Sequence, residues 1–159
     1  CEPGMKATAK RILKEAEKQK CKIVLPVDLV VVEKFAAQAP CRVVEVDAIP
    51  KTHTAVDVGP YSLQVYREAL QACKTVVWNG PVGAFETSPF DVSTVNLARI
   101  VGKLTGEKKL RSIAGGGDTV SALSHSGMAE SFTYLSTAGG AFLEWLEGKT
   151  LPGVAALLS

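Results

Sequence analysis

Three times in this chain of 159 residues a short β-forming run ends in a polar turn that contains glycine. Thr75-Val76-Val77-Trp78 runs into Asn79-Gly80-Pro81-Val82-Gly83. Leu110-Arg111-Ser112-Ile113-Ala114 runs into Gly115-Gly116-Gly117-Asp118-Thr119, and Phe132-Thr133-Tyr134-Leu135 into Ser136-Thr137-Ala138-Gly139-Gly140. After the second and third turns a helix-forming stretch opens directly from the glycines, ending near Gly127 and at Gly148. Strands that alternate with helices predict an α/β domain with a largely parallel sheet. If the strands are parallel, all three turns lie on one edge, outside the strands' carboxyl ends, which is where open α/β sheets bind ligands.

The rest of the chain fits the same class. Ala9, Ile12, Leu13 and Ala16 set an apolar stripe at helical spacing and predict a helix over roughly 5–19. Lys22-Ile23-Val24-Leu25-Pro26-Val27 reads as a buried strand, and residues 29–32 and 42–46 as further extended runs. A loop with Pro50 and Asp57-Val58-Gly59-Pro60 leads to a helix near 62–73. Ser62 can cap that helix, with Leu63, Tyr66, Leu70 and Cys73 towards the core. Asp91-Val92-Ser93-Thr94 offers capping oxygens for a helix through Leu104 that Gly106 stops.

The chemistry concentrates in the glycine turns. Glycine lets backbone N–H groups approach a ligand, and an opening helix adds unpaired N–H groups and the positive end of its dipole. Two such helix starts on one cleft suit an anion, above all phosphate. The plainer reading of any one turn is a tight connection. No GxxxxGK[ST] or GxGxxG occurs, so recognition would rest on backbone amides. Asp118 is open to two readings, a helix cap or a ligand for Mg²⁺ beside nucleotide phosphates. His125 reads as a surface or capping residue, and Glu144 with Glu147 as a solvated helix face. There is no GxSxG or HExxH.

Composition narrows the partners. Net charge is +2 with the cations scattered, which argues against a nucleic-acid binder. No apolar run approaches the ~18 residues that would span a bilayer. Cys1, Cys21, Cys41 and Cys73 lack metal-site spacing and read as reduced packing thiols in a cytoplasmic protein. The chain opens Cys1-Glu2-Pro3-Gly4, with its first Met at position 5, which suggests a start inside a longer polypeptide.

These loops closely resemble phosphoglycerate kinase. The resemblance is carried by Val77-Trp78-Asn79-Gly80-Pro81-Val82-Gly83-Ala84-Phe85-Glu86, Ile113-Ala114-Gly115-Gly116-Gly117-Asp118-Thr119 and Ser136-Thr137-Ala138-Gly139-Gly140-Ala141. It extends to Leu151-Pro152-Gly153-Val154, Ile23-Val24-Leu25-Pro26-Val27-Asp28 and Asp57-Val58-Gly59-Pro60, in order and spacing. It implies a three-layer Rossmann-like α/β domain with a mainly parallel sheet, incomplete at its N-terminal side. Residues 1–159 would be part of the C-terminal nucleotide-binding domain, without the family's N-terminal domain.

The implied activity is reversible phosphoryl transfer between 1,3-bisphosphoglycerate and MgADP, giving 3-phosphoglycerate and ATP in glycolysis. The family's pattern places Glu86 on the ribose, Pro81 beside the adenine and Asn79 near the phosphates. Gly116, Gly117, Asp118 and Thr119 would hold the phosphates, with Asp118 binding Mg²⁺. Gly116, Gly139 and Gly140 would act on the phosphoryl group in flight. The chain departs from the pattern at Ala138, where the family commonly carries glycine, and at Ala55 near the adenine, also often glycine. The family's basic patch for phosphoglycerate and its GGAKV-like lysine have no counterpart here. The implied parent is a monomer that binds phosphoglycerate through its other domain, with no nucleic-acid or membrane partner. The alternatives are a non-catalytic nucleotide-binding module or a complementing structural fragment.

Overall fold

The computed structural model describes residues 3–158, so the thiol expected at Cys1 lies outside the described residues. The described residues form six strands and six α-helices, the strands in two sheets of three each. Strands β4 (Thr75–Trp78), β5 (Arg111–Gly115) and β6 (Tyr134–Ser136) form a parallel sheet in the order β4-β5-β6. Helix α3 (Val92–Gly106) crosses from β4 to β5, and α4 (Gly117–His125) from β5 to β6. The α/β class and the parallel sheet of the glycine-turn strands are as the sequence predicts.

The earlier extended runs form a sheet of their own. β1 (Asp28–Val32) pairs antiparallel with β2 (Cys41–Glu45) on one side and β3 (Thr54–Val58) on the other. Only residues 33–40 separate β1 from β2. That connection is too short for the parallel crossover, which takes a dozen or more residues. The parallel arrangement is therefore confined to β4, β5 and β6.

Residues 22–27, expected as a buried strand, are irregular, and Ile23, Leu25 and Val27 are exposed. Among the described strands none pairs with this stretch. Helix α1 (Lys6–Lys18) forms as its periodicity demands, yet none of its residues is buried, so the stripe of Ile12 and Leu13 faces outward. The thiols do not pack either. Cys21, Cys41 and Cys73 are free and exposed, Cys41 because β2 is an edge strand and Cys73 because it follows the end of α2 (Pro60–Ala72).

The main core lies between the parallel sheet and its crossover helices. Trp78, Leu97, Ala98, Val101, Leu110, Ala114, Leu123 and Phe132 are buried together, with the Trp78 and Phe132 rings 5.9 Å apart. Leu63, Tyr66 and Leu70 pack α2 on that core as expected. Fully burying one such side chain is worth about 1.5–3 kcal/mol. A smaller core of Val32, Val56 and Phe90 joins the antiparallel sheet to the loop that follows β4. Helices α5 (Gly139–Leu146) and α6 (Pro152–Leu158) complete the order.

Candidate nucleotide-phosphate site

Because β4, β5 and β6 are parallel, their three turns share one edge, and the turns are tied to one another there. The Gly80 N–H donates to Thr119 Oγ1 at 2.7 Å, joining the first turn to the start of α4. The Gly116 N–H donates to the Ser136 carbonyl at 3.0 Å, joining the second turn to the third. Gly116 has φ +99°, which an L side chain rarely adopts. At Gly139 the constraint is proximity, since a Cβ there would stand 2.5 Å from Gly116 Cα and 2.6 Å from its nitrogen. Close backbone approach thus calls for glycine at 139, and the positive φ for glycine at 116.

The loop 79–84 is also held from α3, β3 and β4. Its Val82 N–H donates to Thr94 Oγ1 of α3 at 3.2 Å, and its Ala84 N–H to the Val56 carbonyl of β3 at 2.8 Å. The Trp78 indole N–H reaches back to the Gly80 carbonyl. Asp57 packs so closely that a Cβ on Gly83 would stand 2.3 Å from its carboxylate. That carboxylate accepts from the Val58 N–H at 2.8 Å and from the Ser93 N–H at 2.9 Å. Burial holds the Asp57 carboxyl above its ordinary value, against the pull of the Ser93 and Val58 N–H groups. Sequence reading offered Asp91, Ser93 and Thr94 as the oxygens for α3. No side chain of Asp91 caps the helix, and the strand residue Asp57 serves its first turn instead.

Helix α2 is served in the same way. Its Ncap is Gly59 and Ser62 lies inside the helix, so the expected Ser62 cap is not made. The buried Asp28 of β1 accepts from the N–H groups of Tyr61 at 3.1 Å and Ser62 at 2.7 Å, and from the Ser62 hydroxyl at 2.6 Å. No local sequence signal marks either aspartate as a cap, because each acts across more than thirty residues.

Of the residues singled out for chemistry, Asn79, Gly116 and Thr119 come together. A Cβ on Gly116 would stand 3.6 Å from Thr119 Oγ1 and 3.7 Å from Asn79 Oδ1. Gly139 joins them through its contact with Gly116. The Thr119 side chain is buried and its hydroxyl holds Gly80, so what it offers a ligand is its backbone N–H in the first turn of α4. The Gly116 N–H is engaged with Ser136. The first N–H groups of α4 and α5 have no partner inside their own helices, and both helices begin at this edge.

Asp118 is the second residue of α4, exposed and not a cap, since the Ncap is Gly116. Gly117, beside it in sequence, and Gly140, in the first turn of α5, are also exposed. Pro81 lines a separate cleft of about 400 Å³ with Ala55, Val56, Phe35 and Ala84. Glu86 is exposed on the turn just beyond. The His125 ring donates from Nε2 to Asp91 Oδ2 at 2.9 Å, a surface link between α4 and the start of α3.

A single carboxylate fits Mg²⁺ only in company. The described residues contain no group of three or more His, Cys, Asp or Glu side chains able to hold a metal ion. Mg²⁺ takes one or two carboxylates plus phosphate oxygens in nucleotide sites, and that donor set matches Asp118 beside two helix starts. No helix among the described residues is long and apolar enough to cross a membrane.

Comparison with known proteins places these features in a family. A sequence model described as phosphoglycerate kinase matches residues 1–149. The chain is 57% identical over 157 residues to a phosphoglycerate kinase of Xanthobacter flavus, covering 99% of this chain and 40% of the relative. It is 54% identical to that of Methylobacterium radiotolerans, with 99% and 39% covered. The solved phosphoglycerate kinase of Coxiella burnetii superposes with a TM-score of 0.91 at 37% identity, over 99% of this chain and 40% of that one. The chain thus spans about 40% of the length of the curated relatives it matches.

Proposed function

The chain belongs to the phosphoglycerate kinase family, and on that premise we propose that it supplies the nucleotide-binding part of a glycolytic, cytoplasmic kinase. The reaction is reversible. An oxygen of the terminal ADP phosphate attacks the phosphorus of the acyl phosphate in 1,3-bisphosphoglycerate. The bond from phosphorus to the carboxyl oxygen breaks, and 3-phosphoglycerate leaves as a carboxylate while ATP forms.

The single observation that carries this reading is the meeting of Gly116 and Gly139, which brings two glycine-opened helix starts together on one sheet edge. Charge in phosphoryl transfer spreads over three equatorial oxygens, so most of the catalysis is positioning and electrostatic stabilisation. The first-turn amides of α4 would bind the nucleotide phosphates, and those at Gly139 and Gly140 would face the transferring group. Gly116 contributes through its conformation, and Asn79 adds a side-chain amide to the same cluster. Pro81 and Ala55 would line the adenine cleft, with Glu86 on the ribose. Asp118 would hold Mg²⁺ together with the phosphate oxygens. When bound, the ion neutralises charge on those oxygens.

Titration calorimetry with ADP, in the presence and absence of Mg²⁺, tests the assignment. Mg²⁺ is expected to strengthen ADP binding by roughly tenfold, about 1.4 kcal/mol, and Asp118→Ala to remove that increment while leaving metal-free binding intact. An undiminished Mg²⁺ increment in the variant would refute the metal role of Asp118.

A further inference from the structure

Helices α2 and α3 lie side by side, and a groove of about 680 Å³ runs between their outer faces. Leu63, Ile100 and Leu104 supply its apolar lining, while Arg67, Arg99 and Lys103 stand along it. Beyond the helix ends Lys109 and Glu107 close the lining. Four cations and one carboxylate give the groove a net charge of +3. Glu107 is already shared between Lys109 at 2.7 Å and Lys103 at 4.0 Å. Arg67 and Arg99 are exposed and have no ion-pair partner among the described residues.

We propose that this groove binds an acidic amphipathic peptide segment of a partner protein. Three features select that occupant. The cations follow the helix: Arg99 and Lys103 are one turn apart on α3, a spacing of about 6 Å between their Cβ atoms. The lining residues of α3 from Asn96 to Leu104 cover about 12 Å, which matches about two turns of a docked helix. Between the cations, Ile100 and Leu104 repeat at the same one-turn interval and would receive an apolar stripe. A compact phosphate needs donors that meet at a point, and a groove with its cations on successive turns does not provide them. The lining runs towards Lys109, just before β5, away from the edge where the glycine turns gather. Occupancy of this groove is therefore independent of the nucleotide site.

The test is fluorescence anisotropy on the whole chain with a labelled helical peptide of about 14 residues. The peptide carries Leu at every fourth position, flanked by Glu. A charge-reversed peptide with Lys for Glu serves as the control. The acidic peptide is expected to bind, more weakly as salt rises, and the double variant R67E/R99E to weaken it by roughly tenfold or more. Both arginines are exposed, so the variant should keep the wild-type melting midpoint, and Lys103→Glu gives an independent second reading. Equal binding of the two peptides, or unchanged affinity in both variants, would overturn the proposal. So would displacement of the peptide by an equimolar amount of inorganic triphosphate, which would mark a compact polyanion site.

Discussion

A Cβ on Gly139 would collide with the backbone of Gly116 at 2.5 and 2.6 Å, whereas one on Gly140 would meet nothing within 4 Å. Backbone cannot swing aside as a side-chain tip can, so the collision must separate two turns that are also joined by the Gly116 N–H to Ser136. Gly139→Ala is expected to destabilise the chain by about 1–3 kcal/mol and to weaken ADP binding with it. Gly140→Ala is expected to melt within a degree or two of the parent. Thermal unfolding and calorimetry on the two variants check this, and equal effects would show that the contact between the turns is not the constraint. The sequence does not distinguish the two glycines, because what separates them is a neighbour in another turn. Ala138 shows the reverse case. Its φ of −93° is negative and its side chain is exposed, so the departure from the family's usual glycine asks for no left-handed backbone.

The helices and the glycine-turn strands were legible because each rests on local periodicity, as in the Leu63, Tyr66 and Leu70 face of α2. The partners that position those elements were not. Asp28 and Asp57 sit on strands of the antiparallel sheet and bind the first turns of α2 and α3, which pack against the parallel sheet. A hydrogen bond to a charged group is worth about 1.5–3 kcal/mol, so these two carboxylates weigh heavily in how the small sheet docks on the larger unit. Asp57 also carries a pH signature. Burial raises its carboxyl in the folded chain, so the folded state holds that proton more tightly than the unfolded state does. Its stability contribution is therefore complete below the unfolded pKa of about 3.9 and is lost as pH rises through the raised folded value. Measured by urea unfolding from pH 4 upward, wild-type stability should fall relative to Asp57→Asn, whose side chain does not titrate. A difference that stays flat or grows with pH would mean that the Ser93 and Val58 N–H groups outweigh the burial.

Across the whole molecule, apolar patterning leads to an expectation that holds for the glycine-turn strands and one that fails for the buried strand at residues 22–27, and both have one cause. Alternating strands and helices placed three turns on one edge correctly, because β4, β5 and β6 pair with one another within the described chain. The runs at α1 and residues 22–27 have the apolar pattern of packed elements, yet Ile12, Leu13, Leu25 and Val27 are 53, 44, 57 and 45% exposed. Periodicity reports what a segment can bury and says nothing of whether a partner stands opposite it. The same distinction bears on catalysis. In-line phosphoryl transfer requires both reactants to be held together, an arrangement that can supply roughly 7–11 kcal/mol of the barrier. The residues Asn79, Gly116, Asp118, Thr119, Gly139 and Gly140 of these turns and helix starts offer amides, one carboxylate and no cation. On the proposed function that set would take a nucleotide with its Mg²⁺, but it would leave the anionic phosphoglycerate half without a counter-charge. Asp118, Gly117 and Gly140 are also exposed, so water is not excluded from the edge. The 159-residue chain is therefore expected to bind MgADP while showing no measurable transfer from 1,3-bisphosphoglycerate. A coupled assay of ATP formation on the purified chain, run beside calorimetry with MgADP, checks both halves of that statement. Turnover in the range of about 1–100 s⁻¹ usual for kinases would show that these six residues suffice, and absence of MgADP binding would remove the nucleotide site itself.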